Sequence, residues 1–260
     1  MDIQLDGGHE QSASDYRDRF RGSFLMTAGF QAFTDTGIVQ IDGSTPNYQL
    51  TQSLAQVTQQ ESVPTVYGAT GQMYQTFWHT TFTFSASSPL FAFRGDGNVM
   101  VTPWKFSKNG NSYTAEFISA GQTTVRLYIF DQVPVTASHF GLQVFNASGA
   151  LIADAANPFA RVIDVIEGQY MPGQGFQAVG NAVPGPNTQS KTYGVNVAFA
   201  GCFPAHYPGV NSPYILSGLA ASGGTITWEF HTYIGGSGGF VGFSESTYYR
   251  FMVMDMTGII

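Results

Sequence analysis

Short runs in which apolar and polar residues alternate, separated by Gly, Pro, Asn and Ser, are the dominant pattern of the chain. Residues 77–84 and 193–199 show it clearly, as Phe-Trp-His-Thr-Thr-Phe-Thr-Phe and Tyr-Gly-Val-Asn-Val-Ala-Phe. A period of two is typical of a β-strand with one buried face. No stretch of about twelve residues repeats with the 3.6-residue period of an amphipathic helix. The pattern predicts an all-β protein with many short strands.

One stretch of this pattern occurs twice, at a constant offset of 112 residues from Gly29 to Gly141. Each copy has an apolar run, a short polar segment with a Gly, and a second apolar run, which is typical of a β-hairpin. Residues 112–117 and 126–131 also match residues 225–230 and 250–255. Three matched blocks in the same order predict an internal duplication. The residues shared by the two hairpins are Gly29/Gly141, Gln31/Gln143, Phe33/Phe145, Gly37/Gly149 and Asp42/Asp154.

The repeat predicts the domain organisation. We expect two tandem antiparallel β-sandwich domains, residues 25–135 and residues 136–260, the second with long loop inserts. Each would contain roughly seven to nine short strands. Pro134 lies in the expected linker between them.

Residues 1–24 are predicted to be an N-terminal arm. It contains three of the ten positive charges of the chain, interleaved with aromatic and acidic residues. One interpretation is a docking arm that anchors on a neighbouring subunit, since Arg and aromatic residues are frequent anchors of interfaces. The other is a solvated tail or a single helical turn. The candidate anchors are Tyr16, Arg17, Arg19, Phe20 and Arg21.

The composition supports the all-β prediction and also leads to a prediction about the surface of the protein. Aromatic residues make up 15% of the chain and charged residues only 10%, whereas an average soluble domain has about 25% charged residues. Aromatic side chains suit the pleated, half-buried surface of a sheet. So few charges also indicate that neighbouring subunits cover much of the exterior, although Ser, Thr, Gln and Asn can solvate a surface too. We therefore expect a homo-oligomer.

The net charge and the lack of long apolar segments argue against nucleic-acid binding and membrane insertion. The net charge is −7, with ten Lys and Arg, which disfavours binding of nucleic acid through its phosphates. No basic region followed by an apolar run marks a signal peptide. No apolar stretch reaches the roughly 18 to 20 residues needed for membrane insertion. The single cysteine, Cys202, excludes an internal disulfide.

Residues with catalytic or metal-binding chemistry are scattered. Asp42 and Asp154 occupy equivalent positions at strand ends in the two copies, as do Asp131 and Asp255, which indicates a structural role. None of the histidines has the close spacing to other ligands that is typical of a zinc site. We expect no catalytic residue, no cofactor and no metal. The histidines are His9, His79, His139, His206 and His231.

Two short motifs match known patterns without the context that those patterns need. Gly235-Gly-Ser-Gly-Gly239 fits a nucleophile elbow, but such an elbow joins a strand to a helix, whereas here both flanks are strand-like. Arg94-Gly-Asp96 matches an integrin-binding tripeptide, but an ordinary hairpin turn is expected between Phe93 and Gly97. Neither motif is interpreted as a site.

Four predicted loops, at residues 62–76, 168–190, 201–224 and 234–245, carry aromatic residues among Gly, Pro, Ser and Asn. Tyrosine with small flexible neighbours can bind proteins or sugars at low entropic cost. The alternative is the ordinary loop composition of a β protein. The predicted contact residues are Tyr170, Phe176, Tyr207, Tyr214 and Phe240.

The second hairpin carries a family resemblance. Residues 141–154, followed by Arg161-Val-Ile-Asp164, resemble the opening motif of small β-rich minor tail or tail-tip proteins of long-tailed, siphovirus-like bacteriophages. In that motif a Gly-hydrophobic-Gln-hydrophobic-Phe strand leads to an Asn/Asp-x-x-Gly turn and a second strand that ends in Asp. The first hairpin departs from it at Ala32 and Thr34. The resemblance implies a structural role in the virion and brings no catalytic residues.

These observations lead to one expected function and two alternatives. We expect a non-enzymatic component of a phage tail tip or baseplate, a trimer or hexamer that contacts other tail proteins after synthesis in the cytoplasm of the bacterial host. The main alternative is a carbohydrate-binding or receptor-binding module at the host-facing end of the tail. An enzyme acting on a host polysaccharide is the third, and would need two carboxylates about 5 to 10 Å apart.

Overall fold

The structure, a computed structural model, describes residues 31–33, 39–42, 47–68, 71–132, 142–146, 148–170, 188–203, 206–207, 214–235 and 248–260. These residues form strands joined by turns, and no helix occurs among them. The prediction of an all-β chain with antiparallel sheets is confirmed. The predicted arm lies outside the described residues.

The strands of the described residues are numbered in chain order. In the first half they are β1 (Gln31–Phe33), β2 (Val39–Asp42), β3 (Gln49–Val57), β4 (Gln59–Gly68), β5 (Gly71–Ser85), β6 (Leu90–Gly95), β7 (Val101–Asn109), β8 (Ser112–Ser119) and β9 (Thr124–Asp131). In the second half they are β10 (Gln143–Phe145), β11 (Leu151–Asp154), β12 (Val162–Gln169), β13 (Gln189–Thr192), β14 (Val197–Phe203), β15 (His206–Tyr207), β16 (Tyr214–Ser222), β17 (Thr225–Ile234) and β18 (Tyr248–Asp255).

Two large antiparallel sheets contain most of these strands. The six-stranded sheet has the order β12-β18-β14-β6-β9-β3. The eight-stranded sheet has the order β13-β17-β16-β7-β8-β5-β4, with β15 paired to β16. The sheets pack face to face, because Phe93 of β6 contacts Phe117 of β8 with ring centroids 5.0 Å apart. Trp228 of β17 likewise contacts Phe251 of β18 at 5.8 Å. The described strands therefore form a β-sandwich.

Both halves of the chain contribute strands to each sheet. They meet where β6 pairs with β14 and where β7 pairs with β16. Two tandem sandwiches would have two pairs of large sheets, whereas the described strands form one pair that both halves share. The boundaries at residues 24 and 135 stay predictions. The central pairings are Ala92↔Ala200, Phe93↔Phe199 and Val101↔Leu219.

The main hydrophobic core lies between the two sheets and continues across the central pairings. Phe82 and Leu127 from the first half and Phe251 from the second belong to one buried cluster. Phe93 and Phe199 join the halves directly, with ring centroids 5.9 Å apart. Burying one large apolar side chain contributes roughly 1.5 to 3 kcal/mol. The shared core therefore couples the stability of the two halves.

Two further sheets of two strands each, β1–β2 and β10–β11, are the hairpins that the sequence predicts. Their registers are the same, since Gln31 pairs with Asp42 and Gln143 pairs with Asp154. In both hairpins the register shifts directly before the last residue of the first strand. Both hairpin predictions are confirmed.

Two of the predicted loops contain strands. In the range 62–76, β4 continues to Gly68 and β5 begins at Gly71. Pro64 is accommodated because β4 is an edge strand, where the missing backbone donor of proline breaks no ladder bond. The range 201–224 includes the end of β14 and all of β15 and β16. Of the residues that favoured a loop in the first range, Pro64 lies within β4, Gly68 ends β4 and Gly71 begins β5.

Candidate functional sites

Aspartates at strand ends bind backbone amides. The carboxylate of Asp131 accepts hydrogen bonds from the backbone nitrogens of Ser87, at 2.6 Å, and Ser88, at 3.0 Å. The carboxylate of Asp154 accepts one from the backbone nitrogen of Ala156, at 2.9 Å. Both side chains are buried, and backbone donors satisfy part of the hydrogen-bonding need of each carboxylate. The predicted structural role is confirmed for these two aspartates.

A buried histidine in the eight-stranded sheet lies between two carboxylates. His79 Nδ1 is 2.7 Å from Oε2 of Glu61 on β4. Its Nε2 is 3.4 Å from Oε2 of Glu116 on β8, without the geometry of a hydrogen bond. The carboxylates face different ring nitrogens, so the three groups do not converge on one point as metal ligands do. The arrangement ties the edge strand β4 to the sheet.

A second histidine pairs with a glutamate on β17. His231 Nδ1 contacts Oε1 of Glu229, and the hydroxyl of Thr188 donates to Oε2 of the same carboxylate. Burial tends to raise the pKa of Glu229, but hydrogen bonds from Thr188 and His231 outweigh it and hold that pKa below its ordinary value. A Glu-x-His spacing puts both side chains on one face of a strand. This pair could have been found from the sequence, whereas His79 meets its glutamates only through strand pairing.

Among the described residues, no three His, Cys, Asp or Glu side chains are placed to hold a metal ion. The described part of the chain contains no helix of the length and apolarity that a membrane span requires.

A groove of about 910 Å³ lies where β12, β18 and β14 run side by side. Tyr248 is 59% exposed there, and Arg250 Nε is 3.6 Å from Oε2 of Glu167 at the surface. Gly201 has φ +55°, and Met252 lies over it, its Cε only 2.7 Å from where a Cβ would stand. An exposed tyrosine beside a charged pair can stack on a ring and hydrogen-bond to its hydroxyls. The groove is a candidate ligand site formed by described residues.

Two of the predicted contact residues are buried. Tyr170 follows β12, and its ring centroid is 5.2 Å from that of Phe230 and 4.6 Å from that of Tyr249. Tyr214 begins β16 and packs edge-on against Phe77 at 5.7 Å. Both rings are buried, and packing against aromatic side chains removes their large apolar area from water. Their predicted role as surface contacts is therefore corrected to a packing role.

The remaining predicted contact residues stay predictions. Tyr207 belongs to β15, but its side chain is not described. Phe176 and Phe240 lie outside the described residues. The same holds for the arm residues Tyr16, Arg17, Arg19, Phe20 and Arg21.

The Arg94–Asp96 tripeptide connects the two sheets. Arg94 lies in β6 of the six-stranded sheet. The chain then turns at Gly97 and Asn98, with φ of 69° and 59°, and enters β7 of the eight-stranded sheet. A hairpin turn would join neighbouring strands of one sheet, so that part of the prediction is corrected. Asp96 is engaged by Arg126, whose Nε is 2.9 Å from its Oδ1.

Comparisons with protein-family models, with curated protein sequences and with solved structures gave no match.

Proposed function

We propose that this chain is a structural component of a bacteriophage virion, located in the tail tip or baseplate, and that it acts by protein–protein assembly. The observation that carries the proposal is the second hairpin, β10–β11. The side-chain oxygen of Asn146 accepts hydrogen bonds from the backbone nitrogens of Ser148 and Ala150, at 3.0 and 2.9 Å. Gly149 adopts φ +79°, where a side chain would be strained. Asn146 and Gly149, which occupy the Asn and Gly positions of the tail-protein motif, therefore both stabilise this turn.

An internal duplication accounts for the strand order. From the central pairings outward, each half adds strands to the six-stranded sheet in the same sequence: β6, β9, β3 on one side and β14, β18, β12 on the other. In the eight-stranded sheet, β7, β8 and β5 correspond in the same way to β16, β17 and β13. The equal registers of the two hairpins also support this interpretation. In the proposed role, the sandwich holds neighbouring proteins of the assembly at a fixed spacing.

The second hairpin also carries exposed apolar side chains. Leu142, directly before β10, is 55% exposed and Phe145 is 49% exposed. Large exposed apolar side chains are candidates for contacts with another protein. In the proposed role they contact another tail protein or another copy of this chain, in a trimer or hexamer. Size-exclusion chromatography with light scattering distinguishes a homo-oligomer from a monomer.

The virion itself provides the test of the proposal. If a phage carries this gene, mass spectrometry of gradient-purified particles should detect the protein at a fixed stoichiometry. Deleting the gene should give particles with defective tails. A Leu142→Ser, Phe145→Ser double variant should fold but incorporate less, whereas an exposed polar control, Ser53→Ala, should incorporate normally. Absence of the protein from infectious particles would overturn the proposal.

A second candidate function, binding of a host carbohydrate or receptor, is favoured by the Tyr248 groove. Its test is a glycan array probed with the purified chain. Specific binding that is lost in Tyr248→Ala but kept in Tyr74→Ala would support this function. Tyr74 is a suitable control because it is also exposed, at 57%, and lies in β5 of the other sheet. Equal binding by both variants would count against the groove.

A further inference from the structure

Strand β3 is an outer strand of the six-stranded sheet, because β9 is the only strand that pairs with it in the described part of the chain. Residues 158–160 cover its first end, where the backbone nitrogen of Leu50 donates to the carbonyl oxygen of Pro158 at 2.8 Å. The register with β9 shifts between Leu50 and Gln52 and is regular from Gln52 to Val57. This regular part lies beyond the covered end, and most of its side chains are exposed.

The sequence of β3 lacks the features that usually protect an outer strand from pairing with another chain, which are charged residues, proline and short length. It has nine residues, with no charge and no proline. Opposite its regular part, β9 contains one charged residue, Arg126, which is paired with Asp96. The protecting residues of the other outer strands are Glu61 and Pro64 in β4, Asp164 and Glu167 in β12, and Lys191 in β13, which is four residues long.

The backbone of β3 presents hydrogen-bonding groups at this edge. The backbone nitrogen of Thr58, directly after β3, points to the β9 side, where it donates to the carbonyl oxygen of Thr123 at 2.8 Å. Successive residues of an extended strand point their N–H and C=O groups to opposite sides. Those of Ser53, Ala55 and Val57 therefore point away from β9, and no described residue pairs with them. A second strand could satisfy these groups.

The edge is held in strand conformation by contacts with the other sheet. Nε2 of Gln52 donates to the carbonyl oxygen of Ser85 at 2.8 Å, and the hydroxyl of Thr80 donates to Oε1 of Gln56 at 2.9 Å. Ser85 and Thr80 both belong to β5. Between the two glutamines, Leu54 packs against the main core. An edge that is already ordered loses little conformational entropy when a strand binds to it.

We propose that β3 pairs with β3 of a second copy of this chain, antiparallel and with a two-fold axis at Leu54. In this register, Ser53 and Ala55 of each copy exchange backbone hydrogen bonds with Ala55 and Ser53 of the other. Gln52 lies opposite Gln56 of the second copy, on the same face of the joined sheet.

The side-chain amides select a second copy as the partner, because the groups that they leave open are complementary. Gln52 uses its Nε2 on Ser85, which leaves Oε1 as an acceptor. Gln56 uses its Oε1 on Thr80, which leaves Nε2 as a donor. Pairing about Leu54 brings this donor to this acceptor twice, once on each side of the axis. The proposal does not depend on a virion role, and its two-fold contact fits the expected hexamer but not a trimer with a three-fold axis alone.

Sedimentation velocity of the purified chain over a range of concentrations tests the proposal. We expect a dimer that forms as the concentration rises. Amide hydrogen exchange measured by NMR should become slower at Ser53 and Ala55 in the dimer, because the second copy accepts from both N–H groups. A chain that stays monomeric, with both amides exchanging freely, would overturn the proposal and leave β3 to a partner of different sequence.

Variants at the edge test the pairing and its register. Ala55→Pro removes an outward N–H that the ladder with β9 does not use, and should raise the Kd of the dimer at least roughly tenfold. Ala55→Ser keeps this N–H and is the matched control. Gln56→Glu keeps the oxygen that accepts from Thr80 but loses the donor for Gln52 of the second copy, so it should also weaken the dimer. Gln60→Glu, the same change at an exposed position of β4, should not.

The outcomes distinguish this interface from others. Should Ala55→Pro fail to fold, the comparison of Gln56→Glu with Gln60→Glu decides. A dimer weakened by Ala55→Pro but not by Gln56→Glu would overturn the register about Leu54. A dimer that both variants leave unchanged, and that the Leu142→Ser, Phe145→Ser variant abolishes, would place the contact at the second hairpin and overturn the proposal.

Discussion

Tyr214 packs edge-on against Phe77 in the eight-stranded sheet and is fully buried. Its hydroxyl is buried without a hydrogen-bond partner among the described residues. We expect Tyr214→Ala to lower the free energy of unfolding by about 3 to 5 kcal/mol, because it leaves a large cavity. Tyr214→Phe should change it by less than about 1 kcal/mol, or raise it, since a buried polar group without a partner is removed. Denaturant unfolding of both variants measures these effects.

Tyr74→Ala is the control for this pair. Tyr74 is largely exposed, and surface substitutions usually change the free energy of unfolding by less than about 0.5 kcal/mol. An equal loss in Tyr74→Ala and Tyr214→Ala would contradict the packing role of Tyr214.

The side chain of Asp164 links the two sheets through hydrogen bonds. Oδ2 of its carboxylate accepts hydrogen bonds from Lys191 Nζ and from the Tyr193 hydroxyl, both at 2.6 Å. Asp164 lies in β12 of the six-stranded sheet, whereas Lys191 lies in β13 of the eight-stranded sheet. Burial tends to raise the pKa of Asp164, but the bonds from Lys191, Tyr193 and the backbone nitrogen of Val165 outweigh it. The pKa of Asp164 therefore lies below its ordinary value.

This pKa shift predicts a pH dependence with a definite sign. Because the pKa is lower in the folded than in the unfolded chain, the stabilisation is present above the unfolded value of about 3.9. It is lost as the pH falls through the folded value. Asp164→Asn should lower the free energy of unfolding by about 1 to 3 kcal/mol at neutral pH, and the difference from wild type should shrink below about pH 4. Urea unfolding over that pH range is the measurement. A difference independent of pH would contradict the argument, and Glu167→Gln is an exposed control.

At the scale of elements, the pairing of β7 with β16 is reinforced by a buried side chain. Thr102 of β7 donates its hydroxyl to the carbonyl oxygen of Ser217 in β16 at 2.6 Å, and its Oγ1 is also 2.6 Å from the Tyr233 hydroxyl. Thr102→Val keeps the shape but leaves the carbonyl without this donor. We expect a loss of about 1 to 3 kcal/mol in the free energy of unfolding. Thr83→Val, at an exposed position of β5, should cost less than about 0.5 kcal/mol, and equal effects would contradict a special role of Thr102.

The sequence pattern predicts those elements whose conformation depends on residues that are neighbours in the chain. Alternation marks strands such as β5 and β14, and the Asn146–Gly149 turn marks the second hairpin, because strand period and turn conformation depend on neighbouring residues. The central pairings carry no such signal, since residues like Phe93 and Phe199 are far apart in sequence. Tyrosine is equally compatible with a loop and with a core, so the burial of Tyr170 and Tyr214 could not be predicted. The position of Arg126 opposite Arg94 likewise depends on strand register.

At the scale of the whole molecule, the two halves share both sheets and one core. Strands β6 and β7 would each expose an unpaired edge if the second half were removed, and unpaired edges promote aggregation. Phe93 would also lose its contact with Phe199. The halves therefore depend on each other for a covered core, although the sequence alone predicts two independent sandwiches.

The last prediction follows from this dependence. We expect the full chain to unfold in a single cooperative transition, and residues 25–135 or 136–260 expressed alone to lack the dispersed NMR spectrum of a folded domain. Mixing the two fragments should restore folded signal, because the central pairings and the shared core can form between them. The Phe199→Ala variant of the second fragment should restore less, since a cavity forms where the halves meet. A stable, dispersed spectrum from either fragment alone would contradict this prediction, because it would show that this half folds as an independent domain.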